Sequence, residues 1–133
     1  MNRFVATVLS IESTQNLNIV EFSFFDEILT MMSLDLNPNI KIGSSVELTL
    51  KATQITIAKN FNGMVSDSNQ LSAQIKSLGN GQLLSSVELS VHNTTLESII
   101  TLKDSKKMNL QIDDDLTIFI NPSELSIVSI LDD

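Results

Sequence analysis

The chain has 133 residues, of which 42% are apolar and 18% are charged, and its formal net charge is −8. This composition is typical of a globular chain and excludes a largely disordered one, and the length allows one ordinary domain or two very small ones. The absence of cysteine excludes disulfides and thiolate metal sites, and the acidic balance argues against nucleic-acid binding, which depends on lysine and arginine.

The first half of the chain alternates apolar and polar residues with a period of two, which predicts β-strands. Turn-forming residues separate the runs, and a short excursion, "SLDLNPNI" (33–40), lies between the third and fourth. Ser33 is a candidate cap for this excursion, and Pro38 interrupts it. The five predicted strands cover residues 3–11, 17–25, 27–32, 45–52 and 54–58.

The second half repeats this pattern after a short polar join, "NFNGMVSDSN" (60–69). Its excursion, "DSKKMNL" (104–110), predicts a short helix that Asp104 or Ser105 caps, with Met108 and Leu110 facing the core. Because the join is short, we expect the two halves to touch. The predicted strands lie near residues 71–78, 84–91, 96–102, 115–121 and 124–130.

The two halves align as copies of one unit. The offset is stepwise, which predicts four extra residues in "HNTTLES" (92–98), at a hairpin loop. We therefore expect two repeats, residues 1–62 and 63–133, each a small five-stranded barrel in an all-β protein. The matched pairs are Val20-Glu21-Phe22 with Val87-Glu88-Leu89 (offset 67), Leu29-Thr30 with Ile100-Thr101 (offset 71), and Val46 with Leu116 (offset 70).

Three segments carry a resemblance to a known family. "SDSNQL" (66–71) resembles the opening S-A-R-N-Q-L of the molbindins, the cytoplasmic molybdate-binding proteins, and of the related TOBE domains. "IIT" (99–101), leading to "MNLQIDD" (108–114), resembles their middle segment, and "LKATQITIA" (50–58) resembles their closing I-K-A-S-S-V-I. The likeness spans essentially the whole chain and is closest to a tandem, two-repeat (di-Mop) molbindin.

The resemblance implies OB-like barrels (the TOBE/Mop fold), each with a short helix or turn between strands 3 and 4. It also implies oligomeric assembly and oxyanion sites at interfaces between repeats and subunits. The chain departs from the family at Ser68, where arginine is frequent, and at Asn121, which takes the place of Lys51 in the second copy. The implied ligand-binding residues are Lys51, Ala52, Thr53, Ser66, Ser68 and Asn69, with poorer matches at Asn121, Pro122, Ser123, Asn2 and Arg3.

Such donors suit molybdate or tungstate, tetrahedral dianions that accept hydrogen bonds from main-chain amides, hydroxyls and a cation. Storage or homeostasis of these anions in the cytoplasm is the function we expect, with molybdate or tungstate as the ligand and no organic cofactor. A regulatory anion-sensing module acting on a transporter or transcription partner is the alternative. By residue type alone, Lys51 also suits a strand end lying along apolar surface, and Ser66, Ser68 and Asn69 suit an ordinary linker.

Other functions have little support in the residues. His92 is the only histidine, so it is the only imidazole that could activate a catalytic nucleophile as a general base. We expect no enzyme, no catalytic residues and no bound metal cation. An OB-type nucleic-acid binder would need a basic groove with stacking aromatics, and the chain has no Trp or Tyr. We expect no membrane span, and stray apolar residues such as Ile19, Phe25 and Val128 predict a homo-oligomer, a trimer or alternatively a dimer.

Overall fold

A computed structural model describes residues 1–131 of the chain. It is nearly all β, with two five-stranded sheets, so the predicted all-β class and the number of five-stranded sheets are confirmed. The strands are β1 (Asn2–Thr14), β2 (Leu17–Phe24), β3 (Glu27–Ser33), β4 (Ser45–Leu50), β5 (Ile55–Ala58), β6 (Gln70–Asn80), β7 (Leu84–Val91), β8 (Thr94–Thr101), β9 (Asp115–Ile120) and β10 (Ser126–Ile130). One helix, α1 (Leu102–Lys107), and two single 3₁₀ turns, the Ala52 turn (Ala52–Gln54) and the Pro122 turn (Pro122–Glu124), complete the described elements.

The fifth strand of each half lies in the sheet of the other half. The first sheet has the order β10-β4-β1-β2-β3, and the second has the order β5-β9-β6-β7-β8. All neighbouring strands are antiparallel; Leu48 in β4 pairs with Ile127 in β10, and Ile57 in β5 pairs with Ile118 in β9. Residues contiguous in sequence therefore supply only four of the five strands in each sheet, and the exchange joins the two halves into one hydrogen-bonded body.

The internal symmetry is closer than the sequence alignment indicated. The β2–β3 and β7–β8 hairpins both have two-residue turns, because Phe24 pairs with Glu27 and Val91 pairs with Thr94. The predicted four-residue insertion in 92–98 is therefore wrong, and the offset stays at 67 through β3 and β8. It reaches 70 only at β4 and β9, so the extra residues lie in the segment that contains α1.

The segment before the fourth strand is where the halves differ. In the first half it is an irregular loop, and in the second half it contains α1. Thr101, and not Asp104 or Ser105 as expected, caps the helix, its side chain accepting a hydrogen bond from the N–H of Asp104 at 3.1 Å. As expected, Leu110 is buried and Met108 is packed against the core.

The core is one continuous cluster that takes residues from both halves. Strand β1 shows why: Phe4, Ala6 and Val8 point inward and are buried, whereas Val5, Thr7 and Leu9 between them are exposed. This alternation is the geometry that a half-buried strand imposes. Within the described residues, no helix is long and apolar enough to cross a bilayer.

The tips of two hairpins meet at the contact between the halves. Phe25 and His92, at equivalent turn positions, both have positive φ, 55° and 54°. Their rings stack with centroids 4.7 Å apart and planes 16° from parallel, and Phe24 meets His92 edge-on at 5.9 Å. His92 is thus a hairpin-loop residue, as its position in the sequence predicted, and it helps to join the halves.

Candidate functional site

Each sheet leaves a gap between its two edge strands, and the predicted ligand-binding residues lie around these two gaps. The first seam lies between β8 and β5 and is bordered by the Ala52 turn and by Asn2. The second seam lies between β3 and β10 and is bordered by the Pro122 turn and by Asn69. Internal symmetry relates the seams, so they can be compared residue by residue.

Asn2 forms the base of the first seam. Its side-chain oxygen accepts a hydrogen bond from the N–H of Glu97 in β8 at 2.7 Å, and its amide nitrogen donates to the carbonyl oxygen of Glu97 at 2.8 Å. In the β1–β4 ladder Asn2 pairs with Leu50, and Thr49 donates its hydroxyl to the carbonyl oxygen of Asn2 at 2.8 Å. This pairing places Lys51, the residue after Leu50, beside the start of β1.

The other predicted residues of the first seam differ in burial. Lys51 and Thr53 are exposed, whereas Ala52 is buried against β8. Arg3 is exposed and forms an ion pair with Glu47 at 3.1 Å, a surface contact that contributes little to stability. Lys51 and Thr53 therefore remain accessible to a ligand.

Asn69 occupies the equivalent place in the second seam. Its side-chain oxygen accepts a hydrogen bond from the N–H of Thr30 in β3 at 2.6 Å, and its amide nitrogen donates to the carbonyl oxygen of Thr30 at 2.7 Å. Its carbonyl oxygen accepts from the N–H of Ile120 at 3.0 Å. The side chain is fully buried, so its carboxamide serves first to join β3 to the start of β6.

The remaining predicted residues of the second seam surround Asn69. Ser66 and Ser68 are exposed, and between them Asp67 accepts a hydrogen bond from the N–H of Asn69 at 2.9 Å. Partial burial raises the pKa of the Asp67 carboxyl above its ordinary 3.8, an effect that the hydrogen bond from Asn69 opposes. Asn121 and Ser123 are exposed on the Pro122 turn, and Pro122 is half-buried.

The two turns differ in what they do with their donors. At the Ala52 turn, the preceding Lys51 makes no side-chain capping bond. At the Pro122 turn, the side-chain oxygen of Asn121 accepts hydrogen bonds from both the N–H and the hydroxyl of Ser123, at 3.0 and 2.8 Å. In the second turn the donors of Ser123 are therefore already bonded to Asn121, whereas the first turn has no side-chain cap.

A groove runs along each seam. The groove of the first seam has a volume of about 600 Å³ and is lined by residues that include Thr53, Thr101, Asp104 and Lys107. The groove of the second seam has a volume of about 570 Å³; its described lining includes Ser123 and Asp35 but no lysine or arginine. Only the first groove therefore carries a cation on its wall.

Within one chain the predicted residues form two sets, one at each seam. Each set contains both closer and poorer matches to the family motifs. Asn2 and Arg3 accompany Lys51, Ala52 and Thr53 at the first seam. Ser66, Ser68 and Asn69 accompany Asn121, Pro122 and Ser123 at the second. Each seam thus combines the opening and closing segments of the same repeat.

Sequence reasoning missed two features of these seams. The main chains of Thr30 and Glu97 bind the two buried asparagines, and no sequence signal marks a strand residue for that role. The self-capping of Asn121 was readable, because Asn followed by Pro and Ser is a typical turn and cap signature. Within the described part of the chain, no group of three or more His, Cys, Asp or Glu residues could hold a metal ion.

Comparison with known proteins supports the fold. No family model matches the chain, and no curated protein matches it at the level of sequence. Among solved structures, it is similar to the cytoplasmic molybdate-binding protein ModG in a form with molybdate bound, with a TM-score of 0.89 and 18% sequence identity. The match covers 95% of this chain and 94% of that one, so the two folds correspond over nearly their whole length.

Proposed function

We propose that this protein binds a tetrahedral oxyanion of the molybdate and tungstate class and stores it in the cytoplasm. The observation that carries the proposal is the match, with a TM-score of 0.89, to a protein whose structure holds molybdate. The three sequence segments that resemble molbindins border the seams described above and support the same proposal.

The first seam offers the donors that such an anion needs. Lys51 supplies an exposed ammonium group, Thr53 a hydroxyl group, and the Ala52 turn supplies main-chain N–H groups. A dianion without protons to donate is bound by donors alone, and each hydrogen bond to a charged group contributes about 1.5–3 kcal/mol. Five or six such bonds, less the cost of association, reach micromolar affinity, about −8 kcal/mol, so donors from a neighbouring subunit would add to those of the first seam.

Assembly into a homo-oligomer belongs to the same proposal. Ile42 and Ile112, at equivalent positions before β4 and β9, are 69% and 58% exposed, and Ile28 on edge strand β3 is 57% exposed. Apolar side chains repeated on both halves favour burial against further copies of the chain. We expect a trimer, with a dimer as the alternative, and oxyanion sites completed at interfaces between subunits.

Calorimetric titration tests the function. The protein is titrated separately with sodium molybdate, tungstate, sulfate and phosphate at physiological ionic strength, and light scattering gives the mass of the assembly. We expect saturable heat with molybdate and tungstate and much weaker heat with sulfate and phosphate. Absence of heat with all four anions would refute the proposed function.

A further inference from the structure

The two symmetry-related turns are not equivalent as anion sites. Resting on the proposed function, we infer that each chain contributes one oxyanion-binding turn, the Ala52 turn, and that Asn121 and Pro122 close the equivalent position in the second half. The backbones entering the two turns are alike: Lys51 has φ −73° and ψ 144°, and Asn121 has φ −62° and ψ 130°. The difference between the turns therefore lies in their side chains and their hydrogen bonds.

The first difference is in the main-chain donors. Among the described residues, no protein acceptor receives a hydrogen bond from the N–H of Ala52 or of Thr53. In the second turn Pro122 has no N–H at all. The N–H of Ser123 is already donated to the side-chain oxygen of Asn121. An anion would find two main-chain donors at the first turn and none free at the second.

The second difference is in the hydroxyl group. The Ser123 hydroxyl donates to the same oxygen of Asn121, at 2.8 Å. Thr53 holds the equivalent position and its side chain lines the groove of the first seam. A hydroxyl group has one proton, so Ser123 can serve an anion only by giving up its bond to Asn121.

The third difference is in charge. Lys51 corresponds to Asn121, Gln54 to Glu124, and Arg3 to Gln70. The second seam also carries Asp67 directly before Ser68 and Asn69 of its opening segment. A dianion approaching the second turn would meet the carboxylates of Asp67 and Glu124, where the first turn offers the ammonium group of Lys51. The side-chain oxygen of Asn121 also already accepts the hydrogen bonds that an anion oxygen would accept.

The self-capped turn also explains how the second half keeps its fold without a ligand. An Asn side chain that accepts from the residue two positions ahead satisfies donors at the start of a turn. At the Ala52 turn no side chain does this, so a ligand or water must. The duplicated unit has thus specialised: the Ala52 turn of the first copy binds the anion, and the Pro122 turn of the second copy is capped by its own asparagine.

The test is a gain of function at the second turn. A variant carrying Asn121→Lys, Pro122→Ala and Glu124→Gln copies the first turn: it removes the cap, returns an N–H and adds two units of positive charge. A control carrying Gln111→Lys and Glu12→Gln adds the same charge at exposed positions that line neither seam groove. Both are titrated with sodium molybdate beside the wild-type protein and Lys51→Asn, after thermal unfolding has confirmed that each is folded.

We expect wild type and the charge control to show one class of site at no more than one anion per chain. Lys51→Asn should weaken that site at least tenfold, and the triple variant should double the number of sites. Two equal sites per chain in wild type, or a folded triple variant without additional sites, would overturn the inference while leaving the proposed function intact. Absence of molybdate binding by wild type would overturn the proposed function and this inference with it.

Discussion

The carboxamide of Asn69 forms two hydrogen bonds with the main chain of Thr30, at 2.6 and 2.7 Å, and Asn2 repeats this arrangement with Glu97. In each case a side chain forms the pair of hydrogen bonds that a peptide group would form, and it binds an edge strand of the other sheet. An edge strand with unpaired N–H and C=O groups is a site for unwanted pairing, and the two asparagines cover part of each edge. They also fix the geometry on which both turns depend.

We expect Asn69→Ala to be strongly destabilising. The substitution leaves the N–H and carbonyl oxygen of Thr30 without partners in a half-buried place, at about 1–3 kcal/mol for each group when fully buried. The predicted loss in the free energy of unfolding is therefore about 2–3 kcal/mol, the low end of the sum for two groups, measured by urea denaturation with an unchanged m-value. Asn2→Ala removes the equivalent contacts, and we expect a smaller loss because Glu97 is exposed whereas Thr30 is half-buried.

The control for this measurement is Asn39→Ala, at an exposed loop position. A substitution there should change stability by less than about 0.5 kcal/mol. A similarly small effect at Asn69 would show that its two hydrogen bonds with Thr30 are not maintained in solution.

The exchange of fifth strands predicts that damage to the end of the chain appears in the first half. A chain that ends at Leu125 lacks β10, which pairs with β4. We expect amide protons of β4 to lose protection from hydrogen exchange, whereas those of β9, which pairs with β5, keep more of theirs.

The matched control is Val128→Ser, which changes an exposed side chain on β10 and leaves its backbone in place. It should leave the protection of β4 unchanged. If truncation instead exposes β9 and spares β4, then β10 pairs within its own half and the exchanged topology is incorrect.

Strand positions and buried faces were predictable because alternation is a local property. The pattern of Phe4, Ala6 and Val8 fixes which side of β1 faces the core, whatever its neighbours are. The exchange of fifth strands was not predictable. The alternation in "QITIA" (54–58) indicates which face of the strand is buried, but it does not indicate which strand it pairs with. Sheet pairing across the halves depends on long-range geometry that neither repeat contains alone.

The candidate site was predictable to a similar extent. Lys51 and Thr53 were identified by motif and are exposed, and Thr53 lines the groove of the first seam. Asn69, identified in the same way, is buried and hydrogen-bonded to Thr30. An asparagine in a polar join is usually exposed. Its burial follows from the contact between the two halves at Thr30, which sequence periodicity does not indicate.

Asp114 predicts a pH dependence. It accepts hydrogen bonds from the N–H of Gln111 at 2.9 Å and from Lys59 at 3.0 Å, and these interactions lower the pKa of its carboxyl below the ordinary 3.8. Because the folded-state pKa is the lower one, the stabilisation is complete above about pH 5 and is lost as the pH falls through the folded-state value.

The measurement compares wild type with Asp114→Asn. We expect the difference in their free energies of unfolding to be largest near neutral pH and to shrink toward zero as the pH drops below about 4. Asp115→Asn, at an exposed neighbouring position, serves as the control for loss of a carboxylate. A difference that grows on acidification would mean that the pKa of Asp114 is raised and not lowered.

Thr53 and Ser123 give a matched pair for the site itself. Thr53→Val keeps the shape of the side chain and removes the hydroxyl, and Ser123→Ala removes the equivalent hydroxyl from the second turn. Loss of one hydrogen bond to a charged ligand, about 1.5 kcal/mol, corresponds to roughly a tenfold weaker affinity for molybdate. We therefore expect a tenfold rise in the dissociation constant for Thr53→Val in calorimetric titration and no change for Ser123→Ala. Equal losses in the two variants would indicate that both turns bind the anion, and a loss confined to Ser123→Ala would assign the site to the second turn instead of the first.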